Sequence, residues 1–391
     1  MRSIGIFTYS SKPRGSVVHA ACLAEALQRK GAQVTLYALS KAGDGFFRSV
    51  SCDLRLIPAE PAPSEVDLLI RQRIAEFCVG IHAHGVKHEI CHAEDCLAAN
   101  ALVAARAELH GARLVRTVHH VEHFESPFLA DCQRRSVAAA DLVLSVSQVT
   151  SSEVQAVFGR EAPVISNGVD LKRFAARSAR DEQRLSDRLG IQADELVVLS
   201  VGGVEPRKNS LAALRAVALA FKAERRLRWV VVGGASIWEH DAYRQEFARE
   251  LAALPIELRE RISILGTVPE AELSTLYQLS DVLLCPSLQE GFGLCVLEAL
   301  AAKCAVIVPQ GAPFDEYLDE RCASFVDPTS TTHIAAALQR LLSDEPERWR
   351  SANQGYERVQ RYSWDLVAER HLARYESLLR RDEFAPRQSQ F

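Results

Sequence analysis

The chain has 391 residues, 48% hydrophobic and 25% charged, with a formal net charge of -4 at pH 7. That length supplies two domains of ordinary size, each with its own core, and the slightly acidic balance argues against a nucleic-acid-binding surface. No run of 18 apolar residues occurs, so no transmembrane helix is expected. The start, Met1 to Phe7, lacks a signal peptide's apolar core, and ten cysteines without a C-x-x-C pair point to reduced thiols and a cytoplasmic protein.

In chain order, Ile4–Phe7 reads as a strand and Val17–Lys30 as an amphipathic helix closed by Gly31. Strand patterns recur at 33–37, 90–92, 114–118 and 142–146, which predicts an α/β domain with a doubly wound parallel sheet over residues 1–170. The Arg-rich stretch 171–190 interrupts the pattern and is expected to be a linker. The same grammar restarts at 196–201, 229–232, 262–265, 282–284 and 305–308, which places a second Rossmann-like domain at 191–365. Residues 366–391 are expected to form a helix packing back on the first domain, followed by a frayed tail. Ligands of open α/β sheets bind beyond the carboxyl ends of the strands, so two facing domains of this kind would share an interdomain cleft.

Four stretches fall at such strand ends. Gly15, in Pro13-Arg14-Gly15-Ser16, either lets backbone approach a phosphate or sugar or serves a plain turn. His119 lies in Thr117-Val118-His119-His120, just past a strand, where an imidazole can position or polarise a substrate. Gly203 ends a strand before Glu205-Pro206-Arg207-Lys208-Asn209, whose adjacent cations suit a diphosphate. Finally, Glu290 stands directly before Gly291-Phe292-Gly293-Leu294, with Glu298 eight residues after it, at a strand–turn–helix junction whose free N–H groups favour an anion. Carboxylates beside an anion site call for a ligand that carries hydroxyls as well as phosphates.

These stretches, with Ser166-Asn167-Gly168-Val169-Asp170 and Leu265-Gly266-Thr267-Val268-Pro269, resemble the family-four retaining glycosyltransferases, also called glycosyl transferases group 1, over nearly the whole chain. The resemblance implies a GT-B fold of two facing Rossmann-like domains and transfer of a sugar from a nucleotide-diphosphate sugar with retention. Glu290 to Glu298 is similar to the family's E-x7-E signature. By that resemblance Glu298 holds the donor ribose, Glu290 lies by the donor sugar, and the backbone of Gly291, Phe292, Gly293 and Leu294 approaches sugar or diphosphate. Arg207 and Lys208 match the cations that neutralise the leaving diphosphate, His119 the histidine lining the donor sugar, Gly15 the glycine loop, and Val268 borders the base, uridine and guanosine both remaining open. No D-x-D triplet occurs, so a metal-independent reaction without cofactor is expected.

The chain departs from the family at four places: Arg14 replaces the first glycine of the loop, His120 a frequent aspartate, Lys303 a common glycine and Ala305 a frequent proline. Residues 1–175 hold 19 Lys and Arg against 18 Asp and Glu, no basic excess for an anionic membrane, so a small soluble acceptor is favoured over a lipid. Two rival readings remain: a nucleotide-sugar-binding protein without turnover, and a metal-dependent hydrolase using His88, Cys91, His92 and Cys96, whose spacing matches no closed zinc pattern.

Overall fold

The computed structural model describes residues 2–41, 44–234 and 241–383; the expected tail, 385–391, lies outside them. The chain divides into two compact units, one of residues 1–168 with 364–391 and one of residues 169–363. In the first, the strands β1 (Ser3–Thr8), β2 (Gln33–Lys41), β3 (Asp53–Ala59), β4 (Ile90–Ala93), β5 (Arg113–Val118) and β6 (Leu142–Ser145) form one parallel sheet in the order β3-β2-β1-β4-β5-β6. In the second, β7 (Leu196–Val201), β8 (Leu227–Val232), β9 (Ile262–Gly266), β10 (Val282–Leu284), β11 (Ala305–Pro309) and β12 (Ser324–Val326) form another, in the order β12-β11-β10-β7-β8-β9. Both are doubly wound, and their strand order reverses between β1 and β4 and between β7 and β10. Those are the points at which such sheets bind ligands.

The central strands are buried on both faces, which is why they read as continuous apolar runs. Two edge strands do not. β3 alternates exposed and buried residues and carries Pro58, tolerated because an edge strand leaves one N–H row unpaired. β12 is three residues long.

The stretch 171–190, expected to be a linker, is largely helical. Leu171–Ala175 and Ala179–Leu189 are helices, capped by Asp170 and Ser178, and their arginines pair with the helix Glu270–Leu279 through Arg173–Glu270 and Arg188–Glu272. Its polarity is that of helices exposing one charged face, with Phe174 and Leu185 buried. The C-terminal helix Trp364–Glu383 belongs to the first unit, where Arg29 and Lys30 pair with Asp365 and Glu369 and Tyr375 is fully buried. Gly168 meets its start so closely that a Cβ there would lie 2.8 Å from the Trp364 nitrogen. All ten cysteines are free thiols, and among the described residues no helix is long and apolar enough to cross a membrane.

Candidate functional site

At the switch point of the second unit, β7 ends in Gly202 and Gly203, both at positive φ (129° and 78°). The amides of both donate to the Val232 carbonyl, at 2.7 and 2.9 Å. A Cβ on Gly203 would lie 2.8 Å from the Gly233 carbonyl oxygen, and one on Gly202 would strike the Lys208 stem at 2.3 Å. Glycine therefore brings the ends of β7 and β8 together and opens the path along which Lys208 runs. The next residue, Asn209, is held in the left-handed region at φ 57° by bonds from its side-chain amide to the carbonyls of Pro286 and Pro328 (3.1 and 2.7 Å), and it starts the helix Ser210–Ala220. Backbone strain of this sort needs fixed surroundings to persist.

The loop after β10 meets these cations. Lys208 Nζ lies 2.6 Å from Glu290 Oε1 and Arg207 Nη1 3.1 Å from Glu290 Oε2, while Ser287 donates to Oε1 at 2.9 Å. Arg207 also donates to the Gln289 carbonyl, and its own carbonyl accepts from Leu288 N. Burial opposes ionisation of Glu290, but Lys208 and then Arg207 overcome it and hold the carboxyl down at about 2. Lys208 is likewise raised above its ordinary value: burial works against its charge and Glu290 more than restores it. Both cations thus face Glu290 directly, and the Glu205 carboxylate acts on Arg207 as well.

The Gly-Phe-Gly turn is built by packing. The Phe292 ring stacks on Tyr317 with centroids 4.7 Å apart and planes at 7°, and Tyr317 Oη donates to the Phe292 carbonyl at 3.0 Å. That ring is committed to the core, so Phe292 has only main chain to offer a ligand. Gly293, at φ 94°, has no space for a Cβ, which would lie 2.7 Å from the Phe314 ring. Leu294 then begins the helix Leu294–Ala301. Gly291 and Val268 are half-buried loop residues, Val268 in the turn between β9 and the helix Glu270–Leu279. Glu298, on the helix after the turn, accepts from Tyr277 Oη at 2.7 Å. Burial pushes its carboxyl up to about 7, against the pull of Tyr277 and Arg173.

The remaining expected residues lie in the first unit. Gly15 is the first residue of the helix Gly15–Arg29, and a Cβ there would meet open space, so the protein's own packing does not require glycine. His119 follows β5 and its Nε2 lies 2.9 Å from Glu94 Oε2. Both histidines of the zinc reading are already engaged: His88 bonds Ser3 and Tyr37, and His92 bonds Tyr375 and Thr117 through its two ring nitrogens. Among the described residues the group able to gather round an ion is instead His19, Glu94 and His119. Gly202, Asn209, Ser287, Tyr277 and Glu94 were not singled out as site residues. The doubled glycine, the residue after the cation pair and the serine three before Glu290 were signals available locally. Tyr277 and Glu94 come from distant segments and carried none.

The two glutamates of the signature should respond oppositely to pH. The carboxyl of Glu298 sits above its ordinary value of 4.5, so the stability it contributes is full below about pH 4.5 and is lost as pH rises through about 7. Glu298→Gln should therefore raise Tm above about pH 7 and leave it unchanged near pH 4, measured by thermal melts across that range. A variant that melts lower than wild type at high pH contradicts this.

A model of the glycosyl transferases group 1 matches residues 181–358, and one of Glycosyltransferase Family 4 matches residues 13–173. A D-inositol 3-phosphate glycosyltransferase of Corynebacterium glutamicum is 26% identical over 381 residues, 90% of this chain and 89% of that protein. Among solved structures, sucrose-phosphate synthase from Thermosynechococcus elongatus superposes with a TM-score of 0.80 at 20% identity, over 97% of this chain and 100% of the other. Anabaena HepE, crystallised in complex with UDP-glucose, gives 0.77 at 20% identity, over 96% and 100%. With the paired doubly wound sheets, these matches place the chain in the group 1, family-four glycosyltransferases of GT-B fold.

Proposed function

We propose that this glycosyltransferase takes a sugar from a nucleotide-diphosphate donor, retains the anomeric configuration, and uses side-chain cations in place of a divalent metal. The observation that carries the reading is the contact of Arg207 and Lys208 with Glu290 at the β7/β10 switch point. Two cations on rigid, glycine-bared strand ends, with a helix start beside them, suit the negative charge that develops on a departing diphosphate. Glu290 is their counter-ion in the unliganded protein. A diphosphate carries more charge than one carboxylate and takes over the cations, which releases Glu290 toward the hydroxyls of the transferred sugar. Glu298 takes the ribose hydroxyls; with its carboxyl near neutrality it serves as acceptor, and as donor when protonated.

The UDP-glucose complex of Anabaena HepE supports a uridine nucleotide as the first donor to try, with guanosine nucleotides beside it. The acceptor is proposed to be a small soluble molecule. The near balance of charge over residues 1–175 favours it, as does the phosphorylated polyol in the name of the Corynebacterium glutamicum relative.

Lys208→Ala should lower kcat/KM by roughly 2–4 kcal/mol of transition-state stabilisation, read by donor hydrolysis or transfer across a panel of UDP- and GDP-sugars; an unchanged kcat/KM removes the diphosphate role. An α-linked donor should give an α-linked product by NMR of the anomeric proton. A β-linked product takes the chain out of the retaining class.

A further inference from the structure

In the second unit a line of packed side chains ends on Glu298. The helix Leu171–Ala175 is fastened to both ends of the helix Glu270–Leu279. At one end Arg173 pairs with the Glu270 carboxylate and donates from Nη2 to the Glu270 carbonyl at 2.8 Å. At the other, Gln278 Nε2 donates to the carbonyls of Phe174 and Ala176, at 3.1 and 2.7 Å. Between these fastenings the buried Phe174 ring meets Tyr277 edge-on, with centroids 5.5 Å apart and planes at 83°. Tyr277 is fully buried, and its Oη donates to Glu298 Oε2 at 2.7 Å. Glu298 itself is half-buried, and among the described residues none donates a hydrogen bond to its Oε1.

A long side chain at the edge of a site ordinarily loses its rotamer freedom only when a ligand arrives, and that ordering subtracts from affinity. Here the ordering is completed on folding. The Tyr277 ring is packed and its helix is tied at both ends, so the carboxylate it bonds is fixed in plane and direction. A carboxylate has about four acceptor sites on its two oxygens. The phenol takes one on Oε2, and the others are left for donors from a ligand. A ribose brings two adjacent hydroxyls, at its 2′ and 3′ carbons, and a 2′-deoxyribose brings one. A site built to bond a hydroxyl rejects the analogue that lacks it, because an acceptor withdrawn from water is left bare. A carboxylate free to swing would keep its water and discriminate less.

Resting on the reading of Glu298 as ribose ligand, we infer that Tyr277 is its positioning residue and that Phe174, on its short helix, holds Tyr277 in place. Together they restrict the donor to ribonucleoside diphosphate sugars and reject the 2′-deoxyribose of thymidine nucleotides. The stretch 171–176, which in the sequence reads as a connection between domains, is thereby part of the support of the donor site. Tyr277 acts through Glu298 and touches no reacting atom. Its effect falls on ground state and transition state alike, since the ribose hydroxyls keep their bonds while the anomeric bond breaks.

The test is calorimetric titration of UDP and 2′-deoxyUDP, and of GDP and 2′-deoxyGDP, into wild type and Tyr277→Phe, beside steady-state kinetics on the sugar nucleotide that wild type uses. Wild type should bind the ribonucleotide at least about tenfold more tightly than its 2′-deoxy analogue. Tyr277→Phe keeps the ring and removes the donor. It should shrink that ratio to about threefold or less and raise donor KM about fivefold, with kcat nearly unchanged. A packing role alone would weaken both nucleotides by one factor and leave the ratio intact, and that result overturns the proposal. So does a folded Tyr277→Phe that binds both as wild type does. Should Tyr277→Phe not fold, Phe174→Leu, which keeps the phenol and loosens its ring, gives the same measurement: the ratio should fall, and an unchanged ratio overturns the proposal. Wild type that binds ribonucleotide and deoxynucleotide equally overturns the ribose role of Glu298 and the proposal with it. Wild type that binds neither UDP nor GDP and turns over no sugar nucleotide overturns the donor reading itself.

Discussion

A carboxylate that loses its water must find a counter-charge or take up a proton, and the described parts of both switch points are organised by that constraint. At β7/β10, Glu290 meets two cations and stays ionised far into acid. On the helix that follows, Glu298 accepts from a tyrosine hydroxyl, and burial carries its carboxyl toward neutrality. At β1/β4, Glu94 has imidazoles for partners and remains an anion. Glutamates of the same chemistry thus acquire different charge states from their neighbours. The proposed roles of Glu290 as counter-ion and Glu298 as ribose ligand follow from those neighbours.

The rigidity that lets these charges persist is a backbone matter. Gly202, Gly203 and Gly293 are each in positive-φ conformations where a Cβ would collide with something fixed or functional. The Phe292–Tyr317 stack and the bond from Tyr317 Oη to the Phe292 carbonyl then anchor the turn. A side chain placed this way responds little to solvent fluctuation, which is the condition for electrostatic catalysis to work without reorganisation.

Much of this was legible in the amino-acid sequence, because parallel strands buried on both faces announce themselves as unbroken apolar runs. β7 and β10 were bounded from the sequence to the residue. The clustering of Arg207 and Lys208 near Glu290 was implied by family resemblance, and the direct ion pairing was not. Nothing local marks a contact between residues 82 positions apart. β3 was missed because an edge strand alternates and tolerates proline. The helices within 171–190 were missed because the Arg-rich stretch was taken as a linker, and the partners of its arginines, Glu270 and Glu272, lie on a distant helix. Glu94 was passed over because two of its imidazole partners, His19 and His119, come from other segments of the chain.

The central claim is that Glu290 occupies the diphosphate clamp at rest. Calorimetric titration of UDP and GDP into wild type and Glu290→Gln tests it most directly. If the carboxylate competes with the diphosphate for Lys208 and Arg207, removing its charge while keeping its size strengthens binding of whichever nucleotide wild type prefers, or at the least leaves it undiminished, even as kcat falls. Binding to Glu290→Gln that is weaker than to wild type by tenfold or more would contradict the account, because it would mean that Glu290 holds the nucleotide or builds the clamp instead of standing in for the ligand.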